Sequence, residues 1–164
     1  MRPQPFRPEP LQGNNCDAQA IFVRDVSTGL VWHRCLYRTL YADTDRSQVV
    51  YHANYLRYFE FGRASLMRDT AYPYREIEAS GYVYPVIEMG AQFHQPLFYD
   101  DAMWIHTRPA VLERVKLRFD YLVTRSETEE LICTGFTRHC ALKDSRIPVK
   151  IDPKTMQLWK SFPR

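Results

Sequence analysis

The reading of the fold turns on one stretch: Tyr41-Ala42-Asp43-Thr44-Asp45-Arg46-Ser47-Gln48-Val49-Val50-Tyr51-His52, followed by Ala53-Asn54-Tyr55-Leu56-Arg57-Tyr58-Phe59-Glu60-Phe61-Gly62-Arg63-Ala64-Ser65-Leu66-Met67-Arg68-Asp69. From about Ala53 to Asp69 it contains neither proline nor a β-branched residue, so no backbone donor is missing and no side chain is stiff against the preceding turn. Tyr55, Leu56, Phe59, Gly62, Arg63, Leu66 and Met67 fall on one side at 3.6-residue spacing, which predicts a helix. Arg57, Glu60, Ala64 and Arg68 fill much of the other side, but the rings of Tyr58 and Phe61 lie there too. A helix apolar nearly all round needs cover on most of its circumference.

The flanks can supply that cover. Upstream, Ile21 to Val26 and Leu30 to His33 enclose Ser27-Thr28-Gly29 as a short hairpin, and Cys35 to Tyr41 reads as a strand rich in β-formers. Downstream, Pro73 to Ser80 adds a helical turn, and everything after Gly81 reads as strand. The run from Tyr82 to Tyr99 is interrupted only by Pro85, Gly90 and Pro96, which places its prolines at a strand start or an edge. Met103 to Leu112 follows the Asp100-Asp101 turn. Val115, Leu117, Phe119, Tyr121 and Val123 then alternate with mostly polar residues, the period of a half-buried strand. Leu131 to Leu142 and a short strand near 146–151 complete the pattern. One long helix and about five or six mostly antiparallel strands imply an α+β fold in which the sheet wraps the helix. A flat two-layer sandwich is the alternative. Residues 1–20, with four prolines, read as a flexible arm, 21–33 as an extra hairpin, 34–151 as the folded domain and 152–164 as a C-terminal tail.

A chain of 164 residues makes one domain, and 45% hydrophobic with 25% charged residues excludes disordered, collagen-like and coiled-coil classes. A net charge of +3 falls short of a nucleic-acid-binding footprint. Cys16, Cys35, Cys133 and Cys140 show no C-x-x-C spacing and read as reduced thiols. The five histidines show no ligand-like pairing, so no metal is expected. With no signal-like N-terminus and no run of about 18 apolar residues, the expectation is a soluble, cytoplasmic protein without a membrane span. Only 6 glycines are present, against about 11 at average usage, and none lies between Tyr41 and Tyr55.

The chemistry is concentrated in that glycine-free loop. It places two carboxylates, an imidazole, three phenols and two amides at a strand-to-helix connection, beside the free N–H groups of a helix start. An acidic cap with solvated turn residues is the simpler account. Asp43 reads as a loop-ordering acceptor, and Asn54 as a helix-start brace or a substrate contact.

Tyr41 to Tyr55, continued by Leu56-Arg57-Tyr58-Phe59-Glu60, resembles the active-site loop and central helix of the 4-hydroxybenzoyl-CoA thioesterase-like branch of the hotdog-fold acyl-CoA thioesterases. The resemblance extends through Tyr84-Pro85-Val86-Ile87 and Pro96 to Asp101, covering about residues 34 to 150. It implies hydrolysis of an acyl-CoA or acyl-carrier thioester to free acid and thiol, with coenzyme A as part of the substrate and no other cofactor. It implies Asp45 as general base or nucleophile, in the ionised form usual for an aspartate at neutral pH. His52 matches an orienting or proton-transferring group and Tyr41 a phenol near the same site. Gln48, Asn54, Val83 and Tyr84 map to substrate contacts. Arg114 and Arg118, within a basic run, suit coenzyme A phosphates or a solvated strand face. A homodimer or homotetramer, with the site at the protomer boundary, is implied as well.

One residue departs from the family pattern. Relatives carry glycine just before Val-Val-Tyr-His, where this chain has Ser47-Gln48. Either that glycine supplies a positive φ, so that Gln48 is strained, or it leaves room for substrate, so that Gln48 narrows the pocket. Two other functions stand beside hydrolysis: an acyl-thioester-binding or scaffold protein weak in turnover, and an enoyl thioester hydratase, whose His-Asp signature the sequence lacks.

Overall fold

The computed structural model describes residues 5–11, 21–144 and 147–163. Helix α1 (Asn54–Asp69) runs across a sheet of seven strands: β1 (Pro8–Pro10), β2 (Phe22–Asp25), β3 (Val31–Arg38), β5 (Val86–Phe93), β6 (Ala102–Leu112), β7 (Lys116–Arg125) and β8 (Leu131–Cys140). Their spatial order is β1-β2-β3-β6-β7-β8-β5, every neighbouring pair antiparallel. A short sheet joins β4 (Tyr82–Val83), β9 (Leu142–Lys143) and β10 (Ile147–Pro148), and α2 (Tyr74–Ala79) follows α1. This is the hotdog arrangement of one long helix held in an antiparallel sheet.

The sheet exceeds the expected five or six strands. Expected separate strands at 30–33 and 35–41 are one strand, β3, because His33 to Arg38 pair continuously with β6. The expected boundary between residues 33 and 34 therefore falls inside a strand. Of the expected arm, residues 1–4 and 12–20, with Cys16, lie outside the described residues, and Pro8–Pro10 add an edge strand to β2. Arg146, where the last strand was expected to begin, also lies outside them. The expected tail holds a third helix, α3 (Pro153–Ser161).

The packing of α1 follows its spacing. Tyr55, Tyr58, Phe59, Gly62, Ser65, Leu66 and Met67 are buried. Tyr58 was expected on the far side, but Tyr37 of β3 packs against it, ring centroids 5.1 Å apart, and covers it. Two glycines set the helix height. A Cβ on Gly62 would stand 2.5 Å from Thr107 Oγ1, and one on Gly135 of β8 would stand 2.4 Å from the Phe59 ring. With both positions clear, Phe59 stacks flat on Tyr121 at 4.5 Å. At the other end, His33 and Asp69 tie β3 to the end of α1 through a 2.7 Å contact.

The segment expected as a tail is held by one carboxylate. Asp152, 4% exposed, accepts hydrogen bonds from the hydroxyls of Tyr84 (2.6 Å) and Tyr72 (3.1 Å) and from the Thr155 N–H (3.0 Å), capping α3. Trp159 of α3 then packs on Phe119, centroids 5.0 Å apart. Burial raises the Asp152 pKa, and hydrogen bonds from Thr155, Tyr84 and Tyr72 outweigh that, leaving it below the ordinary value. Because the folded pKa lies below the unfolded one, this contribution is full above about pH 4 and is lost as pH falls through the folded value. Asp152→Asn should cost about 2 kcal/mol at neutral pH, and its stability should fall less steeply than wild type below about pH 4. Denaturant titrations across pH check this, and parallel acid limbs would contradict it.

Candidate active site

The site grows from the link between β3 and α1. β3 ends at Arg38, and the hydroxyl of the next residue, Thr39, donates to the Phe98 carbonyl. A 3₁₀ turn over Tyr41–Asp43 then turns Asp43 inward. Its carboxylate, fully buried, accepts the Leu40 N–H at 2.9 Å and faces Arg57 at 3.4 Å. Its carbonyl accepts the Tyr51 N–H (2.9 Å) and the Asn54 side-chain amide (2.8 Å). Asp43 thus closes the loop onto the helix start, and Asn54 braces it. Both act on the chain itself.

Between these ties the chain makes a small hairpin. Thr44 pairs with Val50, the Asp45 N–H donates to the Val49 carbonyl, and the Gln48 N–H donates back to the Asp45 carbonyl, each at 2.9 Å for the two N–H bonds. The Ser47 N–H donates to Asp45 Oδ1 at 2.7 Å, which fixes the carboxylate. No described residue lies within hydrogen-bond reach of Oδ2, so that oxygen faces solvent and any substrate. Gln48 follows the turn at φ 65°, the left-handed conformation that hairpin loops of this kind usually give to glycine. The first alternative for the missing glycine is the one found: Gln48 keeps the turn and carries its strain.

Asp45, Gln48, Tyr41, Thr44, Phe98 and Tyr99 line a concavity of about 450 Å³. Tyr41, 78% exposed, meets Tyr99 edge-on at 5.7 Å. His52 is exposed and lines a neighbouring concavity of about 290 Å³ with Val49, Val50, Tyr55, Phe93, His94, Gln95 and Pro96. Asp45 and His52 therefore flank Val49 from two sides within one protomer. The wall 96–101 is pinned by Arg125, which binds Asp101 and the Pro96 carbonyl. Burial opposes its charge and Asp101 outweighs that, raising its pKa. Burial pushes the Tyr55 and Tyr58 phenols up, and Asp43 adds to the shift at Tyr58, so neither is an acid or base near neutrality.

Three N–H groups at the start of α1 are already engaged. The N–H groups of Asn54, Tyr55 and Leu56 meet the carbonyls of Tyr51, His52 and Ala53 at 2.9 to 3.3 Å. The N–H groups of His52 and Ala53, just before the helix, have no backbone acceptor among the described residues.

Four expected substrate contacts lie elsewhere in the protomer. Tyr84 is buried and engaged with Asp152, and its carbonyl accepts from His139, whose ring meets Arg63 midway along α1, with Val83 beside it. Arg118 pairs in register with Val111, nine residues or about 30 Å of strand from the Ala102 end of β6. Its guanidinium binds Asp120 at 2.7 Å and covers Phe136 on the outer face. Arg114 is exposed at the same far hairpin. No group of three or more His, Cys, Asp or Glu among the described residues is placed to hold a metal.

A family profile described as the thioesterase-like superfamily matches residues 39–158. A Bacillus subtilis protein with the provisional name acyl-CoA thioesterase YneP is 31% identical over 123 residues, 75% of this chain and 84% of that one. The acyl-CoA thioester hydrolase YbgC of Escherichia coli is 28% identical over 90 residues, 55% and 67% of the two chains. The solved DHNA-CoA thioesterase of Staphylococcus aureus superposes with a TM-score of 0.74 at 24% identity, over 79% of this chain and 89% of that one, a likeness of fold.

The strain at Gln48 is measurable. A left-handed non-glycine residue costs roughly 1–2 kcal/mol, and glycine gives back about 0.5–1 in the unfolded chain. Gln48→Gly should therefore stabilise by about 0.5–1 kcal/mol and Gln48→Val destabilise by at least about 1. Equilibrium unfolding of both variants checks the sign, and a harmless valine would contradict it.

Proposed function

The chain belongs to the thioesterase-like superfamily, and from that premise we propose that it hydrolyses an acyl-CoA thioester to the free acid and coenzyme A. The observation that carries the reading is Asp45: a carboxylate oriented by the Ser47 N–H, lining a concavity, with the His52 and Ala53 N–H groups left without a backbone acceptor at the end of the same loop. Water attacks the thioester carbonyl carbon as Asp45 takes its proton; where Asp45 itself attacks, the mixed anhydride left after thiolate departure is hydrolysed by a second-step water, which frees the acid and restores the carboxylate. The oxygen that gains charge is met by the His52 and Ala53 N–H groups. The C–S bond then breaks, the thiolate leaves, and a proton passes to the sulfur, with the exposed His52 imidazole as carrier. Thiolate is a good leaving group, so this needs no metal. Tyr41, Tyr99 and Phe98 offer an aromatic wall to the substrate.

The acting unit in this reading is a dimer formed through β5. That strand is a sheet edge, and Val86, Met89 and Phe93 are each nearly half exposed along it. An apolar edge of this kind calls for a partner. Antiparallel pairing with β5 of a second copy sets Val86 of one chain against Phe93 of the other. The second copy's Val83 and Tyr84 then approach the concavity of His52, which gives these two residues a place at the boundary that one protomer does not provide. Sedimentation should find a dimer or a dimer of dimers, and a stable monomer would contradict this arrangement.

Thiol release from a panel of acyl-CoA thioesters tests the activity. Asp45→Asn should reduce kcat by a factor of about 10³ or more while leaving the melting temperature nearly unchanged, and His52→Ala should lose activity only in part, on the order of 10²-fold. Full activity of the Asn variant would remove Asp45 from its role. Absence of turnover by the wild type with every thioester would favour a binding or scaffold protein.

A further inference from the structure

The concavity beside His52 carries a polar group that the proposed chemistry does not use. Tyr55 lines it together with His52, Val49, Phe93, His94 and Pro96. The residue is 3% exposed, its ring packed against Tyr58 at 5.5 Å and Phe93 at 5.0 Å between centroids. Among the described residues its hydroxyl has no hydrogen-bond partner. The Tyr58 hydroxyl, three residues on, is also unpartnered but sealed in the core, whereas the Tyr55 hydroxyl keeps an opening to the outside. That opening is the concavity, since the residue lines it. Burial holds the phenol above its ordinary pKa, so it stays protonated and offers a donor.

The direction of that donor follows from the helix. Side chains of an α-helix lean toward its N-terminus, so Tyr55, the second residue of α1, carries its hydroxyl back toward the chain that enters the helix. There the His52 and Ala53 N–H groups have no backbone acceptor, and they are the groups assigned to the thioester oxygen. The hydroxyl and these N–H groups therefore converge on one segment of substrate, the thioester carbonyl and the carbons next to it. Val49, Val50, Phe93 and Pro96 give the rest of the concavity, about 290 Å³, an apolar lining. An apolar chain that fills this space strips water from the hydroxyl and leaves a nearly buried donor unmatched, which is costly. A chain with an oxygen acceptor at that point restores the bond.

We propose that Tyr55 donates to an oxygen on the third carbon of the acyl group, making the preferred substrate a 3-oxoacyl thioester. This rests on the thioesterase reading for the position of the carbonyl. A ketone oxygen suits the site because it only accepts. A 3-hydroxyl would bring a donor of its own into a space walled by valine, phenylalanine and proline. The ketone forms and breaks no bond, and hydrolysis proceeds at the thioester as described above.

The test compares hexanoyl-CoA with 3-oxohexanoyl-CoA in wild type and in Tyr55→Phe, which removes one oxygen and keeps the ring. Wild type should favour the 3-oxo thioester, and Tyr55→Phe should reduce the ratio of the two kcat/KM values by about tenfold or more. The ketone also makes the thioester more electrophilic, but equally in both proteins, so the fall in the ratio reports the hydrogen bond alone. An unchanged ratio overturns the proposal, whether both activities fall together, as for a donor to the thioester oxygen itself, or neither falls. Tyr55→Phe should also melt no lower than wild type, because the oxygen it removes bonds nothing in the protein. A lower melting temperature, or loss of the proposed dimer, assigns the hydroxyl to a protein partner and overturns the proposal. If wild type turns over neither thioester, the hydrolase reading fails alone. Calorimetric binding of the two compounds to both proteins then decides the Tyr55 question by the same ratio.

Discussion

The buried carboxylate and carbonyl of Asp43 join three parts of the chain that must meet for the site to exist: the end of β3 at Leu40, the return of the loop at Tyr51, and the start of α1 at Asn54. A buried carboxylate is costly unless its oxygens are matched. Here they are matched by a backbone N–H and by Arg57, so the loop is held by groups that have few other ways to be satisfied. With its two ends fixed at Asp43 and Val50, the intervening chain has room only for a tight turn. Asp45 opens that turn and Gln48 closes it. Position and orientation of the Asp45 carboxylate are thus consequences of how the loop is closed.

Around this joint the sheet distributes its faces between stability and chemistry. Gly62 and Gly135 let α1 settle onto β6 and β8, and Phe59 on Tyr121 fills the centre. The helix then leaves β5 uncovered, with an apolar row along it. At the opposite end Asp152 holds α3 over the remaining opening. One edge of the sheet is extended by β2 and finished by β1, whose two prolines discourage further pairing. The other edge, β5, is apolar and bare.

Local pattern made much of this legible. The span of α1 followed from an absence of breakers and a 3.6-residue repeat, and the strands after Gly81 from alternation. The Asp45 loop was legible only by resemblance to a family, because its parts are individually ordinary turn residues. Other features depend on long-range register. That β3 is one strand is decided by its pairing with β6. That Arg118 lies about 30 Å of strand from the Ala102 end of β6 is decided by the β6–β7 hairpin. The α3 helix had a local signal in Asp152-Pro153 with Thr155 behind it, an N-cap followed by proline at the first helical position, and a reading of that signal would have found it. Glycine scarcity proved informative in an unexpected way: the loop keeps a left-handed residue without glycine.

The central claim is that thioester chemistry occurs at Asp45, between the aromatic wall and the His52 and Ala53 N–H groups. A crystal structure of Asp45→Asn holding an unhydrolysed acyl-CoA tests this most directly. The thioester carbonyl carbon should lie within about 3.5 Å of the residue 45 side chain, its oxygen directed at those N–H groups and its acyl chain along α1 and β5. A thioester bound elsewhere, on the outer face beside Arg118 for example, would contradict the account.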